Sequence, residues 1–237
     1  MSDNQKKYYE SVINTLERVY LTQQNTIAKA AEIFAQCVRQ KGVIYGFGSG
    51  HSFAAAVELA GRAGGLVNTR AIEQFYGHMG WLDSVAGTGD VFANLIDIRP
   101  NDCFVMVSNS GTKPLHIELA KNIKDKGNDL IVISSGISSV DPVDANLAGI
   151  NGVADVVIDN HSPKGDCTIN IDNGKIMTGP VSSMTNAYIV NSIVIKCIDI
   201  LLLDGIEPPV MRSINQPGGK EYNQRLLTEY RERIFTI

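Results

Sequence analysis

The chain has 237 residues, of which 44% are hydrophobic and 19% are charged, and its net charge is −4. A chain of this length can bury a sizeable core as one large α/β domain or two small ones. The acidic balance argues against a general nucleic-acid-binding protein, because such proteins need many Lys and Arg contacts to phosphates. The polar N-terminus and the polar interruptions in the apolar run 189–203 predict a cytoplasmic protein that does not bind membranes.

The cysteines and histidines show no spacing that is typical of a metal site. No CxxC, HxH or HExxH pattern occurs, so we predict neither a metal site nor disulfides. The four cysteines lie far apart and mostly inside apolar runs, where a reduced thiol acts as a small hydrophobe. We predict no cofactor. His116 is expected to be structural or exposed on a helix, and His161 to lie at a pocket rim or in an exposed loop.

Residues 3–40 predict two helices with a break near Leu21 and Thr22, because apolar residues recur there at helical spacing. This helical segment, residues 1–40, is expected to pack either on its own sheet or on a partner subunit. It precedes a predicted α/β core, residues 41–204, and a tail, residues 205–237. All three parts are assigned to one domain.

Residues 42–65 carry the most informative pattern. A short apolar run that suits a buried strand crosses a glycine-rich bend and becomes a small-residue helix pattern; the bend contains Gly46, Gly48 and Gly50. This order places backbone N–H groups and the positive end of a helix dipole at one point, which suits a phosphate or carboxylate. A dinucleotide fingerprint would need glycine at His51, and the lysine of a P-loop is missing. A glycine bend that serves packing alone remains the alternative.

The next segment is less regular. Residues 66–70 predict a short second strand, and residues 91–98 predict a short helix. Between them lies an irregular stretch that holds the only tryptophan, Trp81, together with the acids Glu73 and Asp83 and the residues Phe75, Tyr76 and His78. Aromatic side chains beside titratable groups could wall a pocket or could simply anchor a loop.

Residues 102–127 repeat the strand–loop–helix order. An apolar run enters a turn rich in hydroxyl groups, and Pro114 suits the first turn of the helix that follows. The turn offers Ser108, Ser110 and Thr112 as short donors, with Lys113 adjacent. The repetition favours an anion site formed by both loops.

The remaining pattern predicts the fold. Strands are expected at 129–134 and 154–159, with a polar connector over 135–152 that holds a helical turn near 144–147. Asn173-Gly174 predicts a β-hairpin that leads back to the pocket, before a long helix over 182–203 and a C-terminal helix over 221–234. Strands that alternate with helices predict a doubly wound, flavodoxin-like α/β fold with a five-stranded parallel sheet.

Three blocks of residues resemble a known family. Gly48-Ser49-Gly50-His51-Ser52, followed by Ser108-Asn109-Ser110-Gly111-Thr112, resembles the paired signature of the SIS (sugar isomerase) domain, which binds phosphosugars. Residues 178–190 resemble the segment that opens the last helix of that family, and the likeness spans about residues 29–203. The tail, residues 208–233, resembles a subgroup of bacterial proteins with a single SIS domain.

The resemblance implies a binding site and an assembly. The two loops, together with Ser182 and Ser183 at the start of the last long helix, are expected to bind the phosphate of a sugar phosphate. A homodimer or homotetramer with its pockets near the subunit interface is expected.

The resemblance also implies a reaction, an aldose–ketose isomerisation by proton transfer between adjacent carbons. Enzymes of this family commonly use a glutamate and a histidine, so Glu73, His78, Glu58 and Glu221 are the catalytic candidates, with His51 and Lys220 as further possibilities. Heptose-phosphate isomerases and muramic-acid etherases of the family carry a glutamate after the loop serine, at a position that counts to Arg62 from Ser52. That departure keeps two alternatives open: a non-catalytic phosphosugar sensor, and a lyase or etherase that acts on an amino-sugar phosphate.

Overall fold

The computed structural model describes residues 3–73, 79–136 and 149–234, with residues 79 and 80 described by their backbone alone. The helices are α1 (Asp3–Thr22), α2 (Gln24–Arg39), α3 (Phe53–Leu59), α4 (Met79–Leu82), α5 (Thr88–Leu95), α6 (Pro114–Asp125), α7 (Ser182–Leu203) and α8 (Gly219–Tyr230). The strands are β1 (Ile44–Gly48), β2 (Thr69–Ala71), β3 (Cys103–Val107), β4 (Asp129–Ser134), β5 (Val156–Asp159), β6 (Cys167–Ile171) and β7 (Ile176–Pro180).

The first five strands form one parallel sheet in the order β2-β1-β3-β4-β5. This arrangement confirms the predicted doubly wound, flavodoxin-like fold. The chain adds β2 on one side of β1 and then crosses to add β3 on the other side. The loops after β1 and β3 therefore leave the carboxyl edge of the sheet on either side of a topological switch point.

Side chains alternate between the two faces of the sheet, and each face carries its own hydrophobic core. Ile44 and Val105 belong to the core formed with α2, α3 and α7. Tyr45 and Phe104 belong to the opposite core, formed with α5, α6 and α8, and their rings stack at 5.1 Å between centroids. The strands read as continuous apolar runs because both faces of the sheet are covered.

Several element boundaries differ from the sequence-based expectation. The two N-terminal helices are confirmed, with the break at Gln23. The predicted strand 66–70 is wrong in its first half, since β2 begins at Thr69 and Leu66 instead pairs with Val210 of the tail in an isolated antiparallel bridge. The backbone N–H of Val67 also donates to the Pro209 carbonyl, so Leu66 and Val67 pair with the tail instead of with β1.

Two helices begin earlier than predicted. The helix expected at 91–98 is α5, whose start is fixed by the Glu118 carboxylate, which accepts hydrogen bonds from the backbone N–H groups of Gly87 and Gly89, both at 2.8 Å. The C-terminal helix expected at 221–234 begins at Gly219 and ends at Tyr230. The helical turn predicted near 144–147 lies outside the described residues.

The predicted β-hairpin is confirmed. β6 and β7 pair antiparallel, and Asn173 adopts the left-handed conformation between them with φ of 54°. The hairpin packs against α1, where the Tyr8 hydroxyl donates to the Pro180 carbonyl at 2.8 Å.

Within the described residues, α7 is the one helix long and apolar enough to cross a bilayer. Ile189, Ile193 and Cys197 on this helix are buried in the core that covers one face of the sheet. That packing accounts for the apolar composition of α7 as the composition of a core helix in an α/β fold.

Arg233, which follows α8, contacts the amino edge of the sheet. The Asp102 carboxylate, which is fully buried, accepts hydrogen bonds from the backbone N–H groups of Val43 and Arg99, both at 2.8 Å. Arg233 adds an ion pair to the same carboxylate at 2.7 Å and reaches the Asp97 carbonyl at 2.9 Å. Arg233 therefore neutralises a buried charge at the start of β3.

Arg233→Met should lower the free energy of unfolding by roughly 2–4 kcal/mol, because it leaves the buried carboxylate of Asp102 without its cation. Urea unfolding followed by circular dichroism measures the loss. Arg99→Met is the matched control, since Arg99 pairs at the surface with the half-exposed Asp97. Equal losses in the two variants would contradict the role assigned to Arg233.

Candidate functional site

The two loops that resemble a phosphate-binding signature flank one crevice at the carboxyl edge of the sheet. β1 ends at Gly48 and leads through a 3-10 turn, Gly50–Ser52, into α3. β3 ends at Val107 and leads through residues 108–113 into α6. Ligands of doubly wound sheets bind in the crevice at the topological switch point, and this crevice lies there.

The loop after β1 depends on glycine for its path. A Cβ atom at Gly48 would lie 2.6 Å from the backbone carbon and oxygen of Ser52, so the turn can pass this close only without a side chain. Gly50 has φ of +56° in open space. His51 is exposed and Ser52 is half-buried, so the tip of the turn is accessible to a ligand.

The loop after β3 holds its shape through its own residues. The Ser108 hydroxyl is buried and accepts a hydrogen bond from the backbone N–H of Gly111 at 3.2 Å. Ser110 and Thr112 are exposed. Ser108 therefore shapes the turn, and the hydroxyl groups of the two exposed residues are the ones open to a ligand.

A polar network joins the two loops across the crevice. The buried Asp83 carboxylate accepts a hydrogen bond from the Ser49 hydroxyl at 3.3 Å and lies 3.8 Å from Lys113 Nζ. Lys113 also donates to the Ser84 hydroxyl at 2.8 Å. The sequence named Asp83 only as an acid in an irregular stretch, because no periodicity there indicates which side chains face inward.

Behind the crevice, buried amides tie three elements together. The Asn160 amide nitrogen donates to the side-chain oxygens of Asn109 and Asn186, both at 2.8 Å. The Asn160 side-chain oxygen accepts from the backbone N–H and the hydroxyl of Ser162. This network fixes Asn109, a predicted phosphate-loop residue, against the loop after β5 and against α7.

At the N-terminus of α7, the donor groups already bind a carboxylate of the same chain, that of Asp166. One Asp166 carboxylate oxygen accepts from the backbone N–H of Ser182 at 2.8 Å, and the other accepts from the Ser182 hydroxyl at 2.6 Å. The α7 helix also contacts the 3-10 turn after β1. The predicted phosphate ligands Ser182 and Ser183 thus lie near the crevice, but the donors of Ser182 are engaged by Asp166, and the phosphate role of both stays a prediction.

Glu58 is engaged in the interface between α3 and α7. Its carboxylate forms an ion pair with Arg62 and accepts a hydrogen bond from the Asn191 amide at 2.8 Å. The residue at the position where the resemblance expected a glutamate, Arg62, thus neutralises the glutamate four residues before it. Glu58 is held by these two partners in the structure.

The other predicted catalytic residues are dispersed. Glu73 is exposed just after β2, whereas His78 lies outside the described residues, as do Phe75 and Tyr76. Trp81 is 86% exposed, so it does not anchor its loop within the described chain. Glu221 and Lys220 are exposed on α8, and no described hydrogen bond or ion pair joins either residue to the crevice loops.

A buried histidine lies directly behind the crevice. His116, in the first turn of α6, is 1% exposed, and its ring contacts that of Phe47 at 5.4 Å between centroids. Neither ring nitrogen has a hydrogen-bond partner among the described residues. Burial lowers the pKa of His116 to about 4, with a smaller opposing effect from the nearby Asp83. Of the two roles expected for His116, structural or exposed on a helix, the geometry supports the structural one.

This buried ring should make the fold acid-sensitive. The unfolded chain binds the His116 proton more tightly than the folded chain. The contribution of neutral His116 to the free energy of unfolding is therefore fully present above about pH 6.5 and is lost as the pH decreases toward about 4. Urea unfolding of wild type and His116→Leu across this range measures the effect. We expect the wild type to lose more unfolding free energy than the variant, and parallel pH profiles would contradict the assignment.

No group of three or more His, Cys, Asp or Glu side chains in the described ranges is arranged to hold a metal ion. The described cysteines are free thiols, and three of them are buried.

The SIS domain family model matches residues 7–135, more than half of the chain. The chain belongs to the SIS domain family. A UPF0309 protein of Listeria monocytogenes is 34% identical over 232 residues, covering 97% of this chain and 98% of the relative. A UPF0309 protein of Geobacillus kaustophilus is 32% identical over 237 residues, covering 96% of this chain and 94% of the relative.

Solved SIS domain structures share the fold. A phosphoheptose isomerase from Francisella tularensis superposes with a TM-score of 0.59 at 16% identity, covering 83% of this chain and 98% of that one. A phosphoheptose isomerase from Neisseria gonorrhoeae gives a TM-score of 0.56 at 19% identity, covering 81% of this chain and 95% of that one. These likenesses confirm the α/β architecture of the SIS domain.

Proposed function

We propose that the chain binds a sugar phosphate in the crevice between β1 and β3 and interconverts its aldose and ketose forms. The observation that carries this proposal is the pair of strand–loop–helix units that meet on the two sides of the switch point. A phosphate dianion there can accept several charge-assisted hydrogen bonds of roughly 1.5–3 kcal/mol each. Millimolar to micromolar binding needs only about 4–8 kcal/mol, so no arginine clamp is required. The phosphoheptose isomerases that share the fold support this substrate class.

Glu73 is the residue we assign as the general base. Ala71 pairs with Gly46 of β1, and the next backbone N–H, that of Ile72, still donates to the Gly46 carbonyl at 2.9 Å. An extended continuation of β2 beyond Ala71, at about 3.3 Å per residue, would place Glu73 level with the end of β1. Ala71 packs on Phe53 of α3, and residues two apart in an extended chain face the same side. This supports a Glu73 carboxylate on the side of the glycine loop.

The proposed reaction moves one proton and needs no redox partner. Glu73 removes the proton from the carbon next to the carbonyl, which leaves an enediolate, and returns it to the neighbouring carbon. Lys113, at the edge of the crevice, can stabilise the negative charge that develops on the oxygen. His78 stays a candidate for the transfer of the hydroxyl proton.

We further propose a homo-oligomer whose pockets lie near the subunit interface. Support for a second subunit comes from the C-terminal half of α7, where Ile195, Leu202 and Leu203 are 62%, 59% and 87% exposed in the single chain. The placement of the pockets near the interface rests on the resemblance to the SIS family alone. Apolar side chains clustered at one helix surface favour contact with a second subunit.

A phosphosugar sensor without turnover is the second candidate. It is favoured by Glu58, whose carboxylate is neutralised by Arg62 and hydrogen-bonded to Asn191. A sensor needs the phosphate loops but no base.

Proton NMR of aldose and ketose phosphates in heavy water, including amino-sugar phosphates, tests the proposal. We expect solvent deuterium to appear at C1 or C2 of one sugar with wild type and not with Ser52→Ala. If no sugar exchanges while the signals of one sugar broaden only with wild type, the chain is a sensor. An absence of both effects would overturn the assignment of the crevice to sugar phosphates.

A further inference from the structure

A second polar cavity lies between α1 and the loop after β5. Its volume is about 610 Å3, within the range of small-molecule sites. Ser11, Asn14 and Arg18 line it from one face of α1, since they are three and four residues apart. The opposite wall comes from the loop after β5, with His161 and Lys164.

The charges that face this cavity favour an anion. Arg18 and Lys164 both line it, and neither side chain makes a hydrogen bond or an ion pair with another residue in the described ranges. Asp159 is the carboxylate among the described lining residues, and it is buried. Its oxygens accept from the backbone N–H of His161 at 2.8 Å and lie 3.4 Å from His161 Nδ1. Two cations and one carboxylate therefore line the described part of the cavity, so its net charge is positive.

The wall formed by the loop after β5 is held in one conformation. His161 has φ of 55°, a left-handed conformation that few non-glycine residues adopt. Its Nε2 lies 2.7 Å from the Thr22 hydroxyl at the end of α1. Burial lowers the pKa of the ring, so His161 is mainly neutral at neutral pH. A preformed wall of this kind reduces the ordering that a ligand must impose.

The buried amides separate this cavity from the crevice. Asn160, which is completely buried, bonds Asn109 on the crevice side and Ser162 on the cavity side. We propose that the cavity between α1 and the loop after β5 is a second binding site, for a small metabolite that carries a phosphate or carboxylate group held by Arg18 and Lys164. The assignment of this cavity does not rest on the ligand proposed for the crevice.

Backbone amide NMR of the full chain tests the proposal at constant ionic strength. Sodium phosphate and sodium malonate are the two probes, and they distinguish a phosphate from a carboxylate ligand. We expect the amide signals of His161 and Ser162 to shift and saturate with at least one anion. Because each lost charge-assisted hydrogen bond weakens binding substantially, the double variant Arg18→Gln/Lys164→Gln should raise the Kd about tenfold or more.

The matched control is Lys126→Gln/Arg231→Gln, which removes the same charges from exposed positions away from the cavity. Control and wild type should give the same Kd, and the unshifted amide signals of the double variant show that it is folded. Signals that fail to saturate with either anion would overturn the proposal. So would equal affinity in wild type and in the Arg18/Lys164 variant, or shifts that follow protein concentration rather than anion concentration.

Discussion

Glu73→Gln is expected to slow deuterium exchange into the sugar by about 10²–10⁴-fold, the usual contribution of a positioned general base. The amide keeps the size and hydrogen-bonding capacity of the side chain but cannot take up a proton at neutral pH. Because the phosphate is bound by the loops after β1 and β3, the affinity for the sugar phosphate should stay within a few-fold of wild type. NMR exchange rates and ligand titration measure the two quantities separately.

Two comparisons make this prediction specific. Glu17→Gln changes an exposed glutamate of α1 and should leave exchange unaltered. Glu58→Gln and Glu221→Gln address the other glutamates that the sequence nominated. Loss of exchange in either of these variants, with exchange retained in Glu73→Gln, would assign the base elsewhere.

Gly48→Ala is expected to abolish detectable binding of the sugar phosphate. The added Cβ would lie 2.6 Å from the backbone of Ser52, a distance that forces the turn after β1 to move. A displaced turn moves its backbone N–H groups away from the crevice, and several charge-assisted hydrogen bonds are lost together. Ligand titration by NMR measures the loss, and circular dichroism shows whether the fold is retained.

Gly50→Ala is the matched variant in the same turn. No atom lies within 4 Å of its added Cβ, so only the left-handed backbone, with φ of +56°, resists the change. We expect this substitution to cost about 1–2 kcal/mol of stability and to retain binding. Similar binding by the two variants would show that the close approach at Gly48 does not shape the site.

The sheet could be predicted because its strands are recognisable one at a time. Residues 103–107 and 130–133 are apolar on both faces, and such runs bounded by turn residues indicate a parallel strand that is covered on both sides. Asn173 likewise predicted the hairpin, since asparagine tolerates the left-handed conformation that the turn needs.

The site could be predicted only in part. The loops after β1 and β3 carry local signatures, whereas Asp83 and Asn160 act through partners far away in the sequence. Ser182 shows a further limit. A hydroxyl at a helix start has the same sequence signature whether its partner is a bound anion or, as in this structure, the carboxylate of Asp166.

The strand and helix boundaries that were predicted wrongly are those that depend on tertiary contacts. Residues 66–68 have a strand-like composition, but the tail pairs with Leu66 and delays β2 to Thr69. The start of α5 is likewise set by Glu118, a residue of another helix. Composition within a short window carries no information about such partners.

The contact between Arg233 and Asp102 bears on how the protein is made in the cell. These residues are 131 positions apart, yet Asp102 lies at the start of a central strand. During synthesis that strand emerges from the ribosome long before the cation that neutralises its buried carboxylate. The nascent chain therefore carries an incompletely closed sheet while the later strands and helices are translated, a state that is open to chaperones and to aggregation.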